Sequence, residues 1–245
     1  MNGAFGREQV ISSKLGVDMT IQEVRSIRHP TAELDTALLA LRTVEGTALF
    51  IDARASSQIV YFVETHHGSQ AAAQVFTGFL AGCMNRITGS SVRECRPSGD
   101  AVLAIFTGPA RVHDALDAAW QVIRFVRDEF DLAYRGLLSC NGRCGDRACQ
   151  GAFPFTVGAG IDDGPITAST VPSPGHFFRE LVGSCVSIAA KLSGVARPPN
   201  DVAMTYGAYE CGQPYDLASY EWYPSMIRVG GRFQHVMFTR FTGPS

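Results

Sequence analysis

Residues 91–106, SVRECRPSGDAVLAIF, read as two short strands (91–96 and 101–106) folded over a 97–100 turn. This hairpin constrains the fold more than any other stretch, because of what precedes it. Residues 47–53 form a short apolar run bounded by Gly46 and Arg54, which reads as a buried strand. Between the two, the apolar period changes from strand-like to helical. Residues 56–65 read as a short helix closed by Gly68. Residues 69–87 read as a longer one, with Ala72, Val75, Phe76, Phe79, Leu80, Cys83 and Met84 on one face and Gly89 ending it. Residues 111–130 read as one amphipathic helix with Val112, Ala115, Leu116, Ala119, Ile123 and Val126 inward. Then come a strand at 154–161, a turn at Gly164-Pro165, and a helix at 182–192 with Val182, Cys185, Val186, Ala189 and Leu192 on its apolar face. A short strand at 202–205 and a hairpin within 220–241, around Gly230-Gly231, complete the chain. The order β-α-α-β-β-α-β is centred on a split βαβ pattern, so the expected class is α+β with a ferredoxin-like βαββαβ core. In that topology the first strand lies antiparallel beside the third. Asp52 closes one and Asp100 opens the other, so two carboxylates distant in sequence are expected side by side.

Two adjacent carboxylates repel, and one stays protonated unless a cation intervenes. A pair of divalent ions removes the conflict, and hard oxygen ligands favour Mg²⁺ or Mn²⁺. Such a pair suits phosphoryl transfer, with one ion at the attacking hydroxyl and the other at a triphosphate. Taken singly, Asp52 also fits a helix N-cap and Asp100 a turn. After Asp52 comes Ala53-Arg54-Ala55-Ser56-Ser57, leading into a helix whose start offers N–H groups to phosphate or carries an ordinary serine cap.

Composition sets the outer bounds. The 46% hydrophobic content of the 245 residues supports a real core and argues against disorder. A net charge of −2 predicts no general attraction to nucleic acid or to a membrane surface, so an anionic substrate must be held locally. The excess of 19 Arg over 2 Lys fits a GC-rich genome. No apolar run approaches the ~20 residues of a membrane-spanning helix. The first residues, MNGAFGREQV, lack the regions of a signal peptide, and seven cysteines without an export signal predict a reducing cytoplasm and mostly free thiols. Residues 1–45 read as an N-terminal arm and edge segment, including an amphipathic stretch broken at Pro30, and 46–245 as one catalytic domain.

Four motifs, in order, resemble those of the class III nucleotidyl cyclases. LFIDARASS (49–57) resembles their first metal motif and RPSGDAVLAIF (96–106) their second. FTVGAGIDDGPI (155–166) is similar to their VGIxxG strand. LVGSCVSIAAKL (181–192) is similar to their helix of pattern Gly-x-x-Val-Asn-x-Ala-x-Arg. The resemblance spans roughly residues 45–240. It implies two divalent ions, Mn²⁺ or Mg²⁺, held by Asp52, Asp100 and the Ala53 carbonyl. It implies a phosphate-cradling loop at Arg54, Ala55, Ser56 and Ser57, and a homodimer with sites between subunits. The implied reaction is attack of a ribose 3′-OH on the α-phosphate of a nucleoside triphosphate, releasing pyrophosphate and a 3′,5′-cyclic nucleotide.

The departures from the pattern matter. Where the family helix carries Asn and Arg, this chain has Ser187 and Lys191, at i,i+4 and so on one face. Lysine keeps the charge and loses the guanidinium fork. Arg228 and Arg232 are candidates for triphosphate contacts, with ordinary surface arginine as the alternative. The base-selecting positions hold Arg96 and Glu180, a donor and an acceptor. That pair suits uracil O4 and N3–H, or guanine O6 and N1–H, better than adenine, and the long Arg suits a pyrimidine. An Arg96–Glu180 ion pair is the alternative. With these selectors the chain resembles the bacterial pyrimidine cyclases of Pycsar antiphage defence, whose cyclic UMP or cyclic CMP activates a partner effector. The resemblance implies conversion of UTP to cyclic UMP, then cyclic CMP or a purine product as alternatives. A catalytically silent cyclase-like dimer and a palm-type nucleotidyl transferase are further readings, and the 181–192 helix argues against the last. Cys140, Cys144 and Cys149 read as a loop insertion rather than a zinc site, and Asp162 and Asp163 as turn residues. His66, His67, His113 and His176 have no assigned acid–base role.

Overall fold

A computed structural model describes residues 10–12, 18–20, 42–138, 154–173, 176–198, 200–213, 217, 220–229 and 231–240. The elements, in chain order, are β1 (Val10–Ser12), β2 (Asp18–Thr20), β3 (Arg42–Ala53), α1 (Ser56–His67), α2 (Ser69–Arg86), β4 (Val92–Ser98), β5 (Ala101–Phe106) and α3 (Arg111–Phe125). A π-helical turn at Val126–Phe130 carries α3 into α4 (Asp131–Leu138). Then follow β6 (Val157–Ser173), β7 (His176–Val182), α5 (Ser184–Val195), β8 (Val202–Thr205), α6 (Tyr206–Gly212), β9 (Trp222–Val229) and β10 (Arg232–Thr239). The cysteine loop 140–149 and most of the N-terminal 41 residues lie outside the described residues.

The chain divides into two units. The smaller comprises Met1–Arg42 and Thr167–Val182. Its described parts are an antiparallel pair of β1 and β2 and a hairpin in which the second half of β6 pairs with β7, from Thr167↔Val182 to Ser173↔His176. The larger comprises Thr43–Ile166 and Gly183–Ser245. It is built on a sheet of order β4-β5-β3-β6-β8-β10-β9, with β3 antiparallel to β5 as the split βαβ pattern predicts.

Strand alternation sorts this sheet into two faces. Leu49, Ile51, Ala159, Ile161, Val202 and Met204 share one buried cluster with α2 and α3, whose helical stripes supply Val75, Phe79, Leu116 and Ile123. The alternate residue Ala203 packs instead with Leu192 and Ala196 of the α5 region, Val229 and Val236. Removing one large side chain from such a core costs about 2–5 kcal/mol. The second face is carved for close approach. A Cβ on Gly160 would sit 2.0 Å from the Ala189 carbonyl oxygen and 2.3 Å from the Ser193 nitrogen, so only glycine lets α5 lie directly on β6.

Four expectations are corrected. The 111–130 helix is not one regular α-helix. At 3.6 residues per turn Phe125 and Phe130 would stand about 140° apart. The π turn brings both rings to the same packing, with centroids 5.7 Å apart and Phe130 4.8 Å from Phe155. The turn predicted at Gly164-Pro165 is absent, and β6 runs on to Ser173. Pro165 falls between the ladder to β8 (Ala159–Ile161) and the ladder to β7 (from Thr167), where its missing N–H breaks no pairing. The helix predicted from 182 begins at Ser184, because Gly183 is fully extended (φ −177°) and Val182 closes β7, 60% exposed. Asp162 and Asp163 are not turn residues. Asp162 is 7% exposed and accepts the Thr205 hydroxyl. Asp163 takes a two-pronged bond from Arg111 at 2.7 and 2.8 Å and a third from Thr47 at 2.6 Å.

Candidate active site

The site begins where β3 ends. Asp52 pairs with Ala101, and Ser98 pairs with the same residue from β4, so the Gly99-Asp100 turn sits against the end of β3. Gly99 at φ 65° makes that turn, a conformation glycine adopts freely. Asp52 and Asp100 are thereby close enough to act on each other. Burial first, and then the negative charge of Asp100, push the Asp52 carboxyl above its ordinary pKa, while Arg54 opposes both. A carboxylate in that state gains from a cation.

Arg54 leaves the strand end held at several points. Its backbone N–H donates to Thr156 at 2.8 Å. Its guanidinium spans from Asp52 Oδ2, 3.4 Å away, to the Ala196 carbonyl after α5, which Nη2 also reaches. It fills the space over Gly158, where a Cβ would collide with Nη2. Its Nε is buried without a partner among the described residues. Burial lowers the Arg54 pKa, with Asp52 opposing and the nearby Arg197 adding to the fall.

Ala55 is the only non-glycine residue with positive φ among the described residues, at 54°. This places it in the left-handed region at the N-cap of α1, and an alanine has no side chain with which to cap. The serine-cap alternative is therefore not realised. The first-turn N–H groups at Ser56 and Ser57 are left for another acceptor. Ser56 and Ser57 line a cavity of about 690 Å³, together with the rest of residues 52–58, Thr156, Arg197 and Pro198. Asp52 and the Ala53 main-chain carbonyl at the end of β3, with Asp100 on the adjacent β4–β5 turn, are hard-oxygen donors of the kind that fit Mg²⁺ or Mn²⁺.

Other predicted site residues stand elsewhere. Ser187 and Lys191 are exposed on α5, one turn apart, outside the cavity lining. Arg96 is on β4 with Nε 3.6 Å from Glu94. Glu180 is exposed on β7, in the smaller unit. Arg228 and Arg232 are exposed at the β9–β10 turn, and β10 lies three strands from β3 in the sheet. Arg197 and Gly158 belong to the site and were not anticipated. The Gly158-x-Gly160 spacing carries a signal, since two glycines on one strand face mark a close approach. Arg197 carries none: only the fold brings it to the Asp52 loop.

No protein-family model matches the chain, and no curated protein matches it. Solved structures do. The adenylyl cyclase CyaB from P. aeruginosa has a TM-score of 0.65 at 13% identity, over 82% of this chain and 96% of that one. A bacterial light-regulated adenylyl cyclase has a TM-score of 0.61 at 19% identity, over 81% of this chain and 52% of that one, so this chain spans about half its length. The guanylate cyclase domain of RhGC from Catenaria anguillulae, solved with GTP, has a TM-score of 0.57 at 16% identity, over 81% and 97%. The chain thus has the mixed α+β fold of class III nucleotidyl cyclase catalytic domains.

Proposed function

We propose that this protein is a divalent-metal-dependent nucleotide cyclase that converts UTP to 3′,5′-cyclic UMP and pyrophosphate. The observation that carries the reading is the juxtaposition of Asp52 and Asp100 at the β3–β5 ladder end, beside an uncapped helix start and over a cavity, on a cyclase fold. Asp52, Asp100 and the Ala53 carbonyl hold two ions, Mn²⁺ or Mg²⁺. When bound, these neutralise the polyphosphate and make the ribose hydroxyl easier to ionise. The N–H groups of Ser56 and Ser57 hold phosphate oxygens. The ribose 3′-hydroxyl gives up its proton to solvent, its oxygen forms a bond to the α-phosphorus, the α–β bridging P–O bond breaks, and pyrophosphate carries away the electron pair. Lys191 stabilises charge developing on the transferred phosphoryl group, and Ser187 orients the ribose, both from a second copy of the chain in a homodimer. Arg232 contributes a triphosphate contact in the same assembly.

Arg96, as donor, and Glu180, as acceptor, select the base. Those two functions suit the uracil edge, and the same order on guanine makes cyclic GMP the second outcome to distinguish. The product acts in the cytoplasm as a second messenger for a cyclic-nucleotide effector in antiphage defence. No described helix is long and apolar enough to cross a membrane. The test is a competition assay with Mn²⁺ and all four nucleoside triphosphates. Cyclic UMP as the main product is expected, and an Arg96→Ala variant should blur base choice more than it weakens metal binding. Absence of any cyclic nucleotide contradicts the reading and favours the silent dimer that Ser187 and Lys191 keep open.

A further inference from the structure

Arg197 is the one basic residue on the cavity wall whose guanidinium has no hydrogen bond or ion pair among the described residues, and it is exposed. Its backbone is fixed. Asn200 donates to the Arg197 carbonyl at 2.6 Å, the two residues bridge, and the preceding Ala196 is held both by its own N–H to Leu192 at 3.0 Å and by the Arg54 guanidinium on its carbonyl. Arg54 thus ties the loop that bears Arg197 to the loop that bears Asp52. The result is two guanidinium groups near each other on one wall, Arg54 committed to Asp52 and Ala196 and Arg197 uncommitted. Of the two, Arg54 is shared with the Asp52 carboxylate, and Arg197 lines the cavity with its charge unspent, a site for an anion. The start of α1 lines the same cavity.

We propose that Arg197 is a substrate-binding residue that grips the terminal phosphate of a polyphosphate chain whose other end lies at the Asp52 loop, and that Arg54 is the positioning residue that sets it there. The nucleotide attached to that chain rests on the cyclase reading; the grip itself needs only the polyphosphate. A planar fork makes paired bonds to phosphate oxygens, and a triphosphate reaching from the Asp52 loop to Arg197 gains those bonds where a single phosphate at that loop does not.

The test is titration calorimetry of the full-length protein in Mg²⁺ with inorganic tripolyphosphate and with orthophosphate, for wild type, Arg197→Ala and Arg197→Lys. A charge-assisted bond is worth enough to predict a roughly tenfold to hundredfold loss of tripolyphosphate affinity in R197A. Orthophosphate binding should change less than about twofold, with Lys intermediate because it keeps the charge without the fork. Arg197 is exposed, so thermal midpoints of all three should agree. Equal tripolyphosphate affinity in wild type and R197A overturns the proposal, as does a wild type that binds no tripolyphosphate. The cyclase reading fails separately: loss of tripolyphosphate binding in R197A with no cyclic nucleotide from wild type leaves the grip standing alone. Cyclic nucleotide formation unaffected by R197A, with unchanged affinity, removes the grip and keeps the cyclase.

Discussion

Asp162 shows how much a single side chain can hide. Followed by Asp163, Gly164 and Pro165, it has every local mark of a turn, yet it is buried on β6 and accepts the Thr205 hydroxyl. Burial pushes its pKa up to about 6, against a smaller opposing effect of that hydroxyl. The folded state then binds a proton that the unfolded chain has already lost, so this residue's contribution to stability falls as pH rises from about 4 to about 6 and stays low above. Asp162→Asn keeps an oxygen to accept the Thr205 bond and abolishes the ionisation. Denaturant unfolding should show the variant gaining roughly 2–3 kcal/mol relative to wild type between pH 4 and pH 7.5. A difference that does not vary with pH contradicts this account. The contrast with Asp52 and Asp100 is instructive. Their juxtaposition was legible because each terminates a readable strand, and register alone then fixes the meeting. The partners of Asp162, Asp163 and Arg197 lie far along the chain, where no local pattern points. Ala55 was legible as part of a loop, but its left-handed backbone was not, since alanine gives no sign of positive φ.

Among the elements, the two glycines of β6 do the most to place the site. Gly158 leaves room for the Arg54 guanidinium, and Gly160 lets α5 approach until backbone meets backbone. Gly160→Ala puts a methyl 2.0 Å from the Ala189 carbonyl, so α5 must move away from the sheet. Overpacking against main chain should cost about 3 kcal/mol and lower the thermal midpoint by several degrees. A midpoint unchanged from wild type would show that α5 is not seated as described. Most elements were readable because their apolar period was regular: β3 and β5 as continuous buried runs, α2 and α3 as stripes. What escaped was irregular. The π turn violates the 3.6-residue period by which helices are read, and the length of β6 is set by two successive pairing partners rather than by its own composition.

For the whole molecule, the antiparallel placing of β3 beside β5 was legible from the order of the elements. The proposed homodimer belongs to this scale. Ser187 and Lys191 lie outside the cavity that Asp52 lines, and β9 and β10 expose Tyr223, Met226 and Phe233. If a second copy supplies the helix residues, an inactive Asp52→Ala chain mixed with an inactive Lys191→Ala chain should recover activity. About a quarter of the wild-type rate is expected on random exchange, since half the dimers carry one intact site. No recovery, with exchange verified by differently tagged chains, contradicts shared sites. Asp52→Asn and Asp100→Asn are each assayed for cyclic nucleotide and pyrophosphate with Mn²⁺ and nucleoside triphosphate, alongside thermal melts that verify folding. Both variants should fold, and each should lose product formation by at least a thousandfold; either variant cyclising at the wild-type rate would rule out a site built on these two carboxylates.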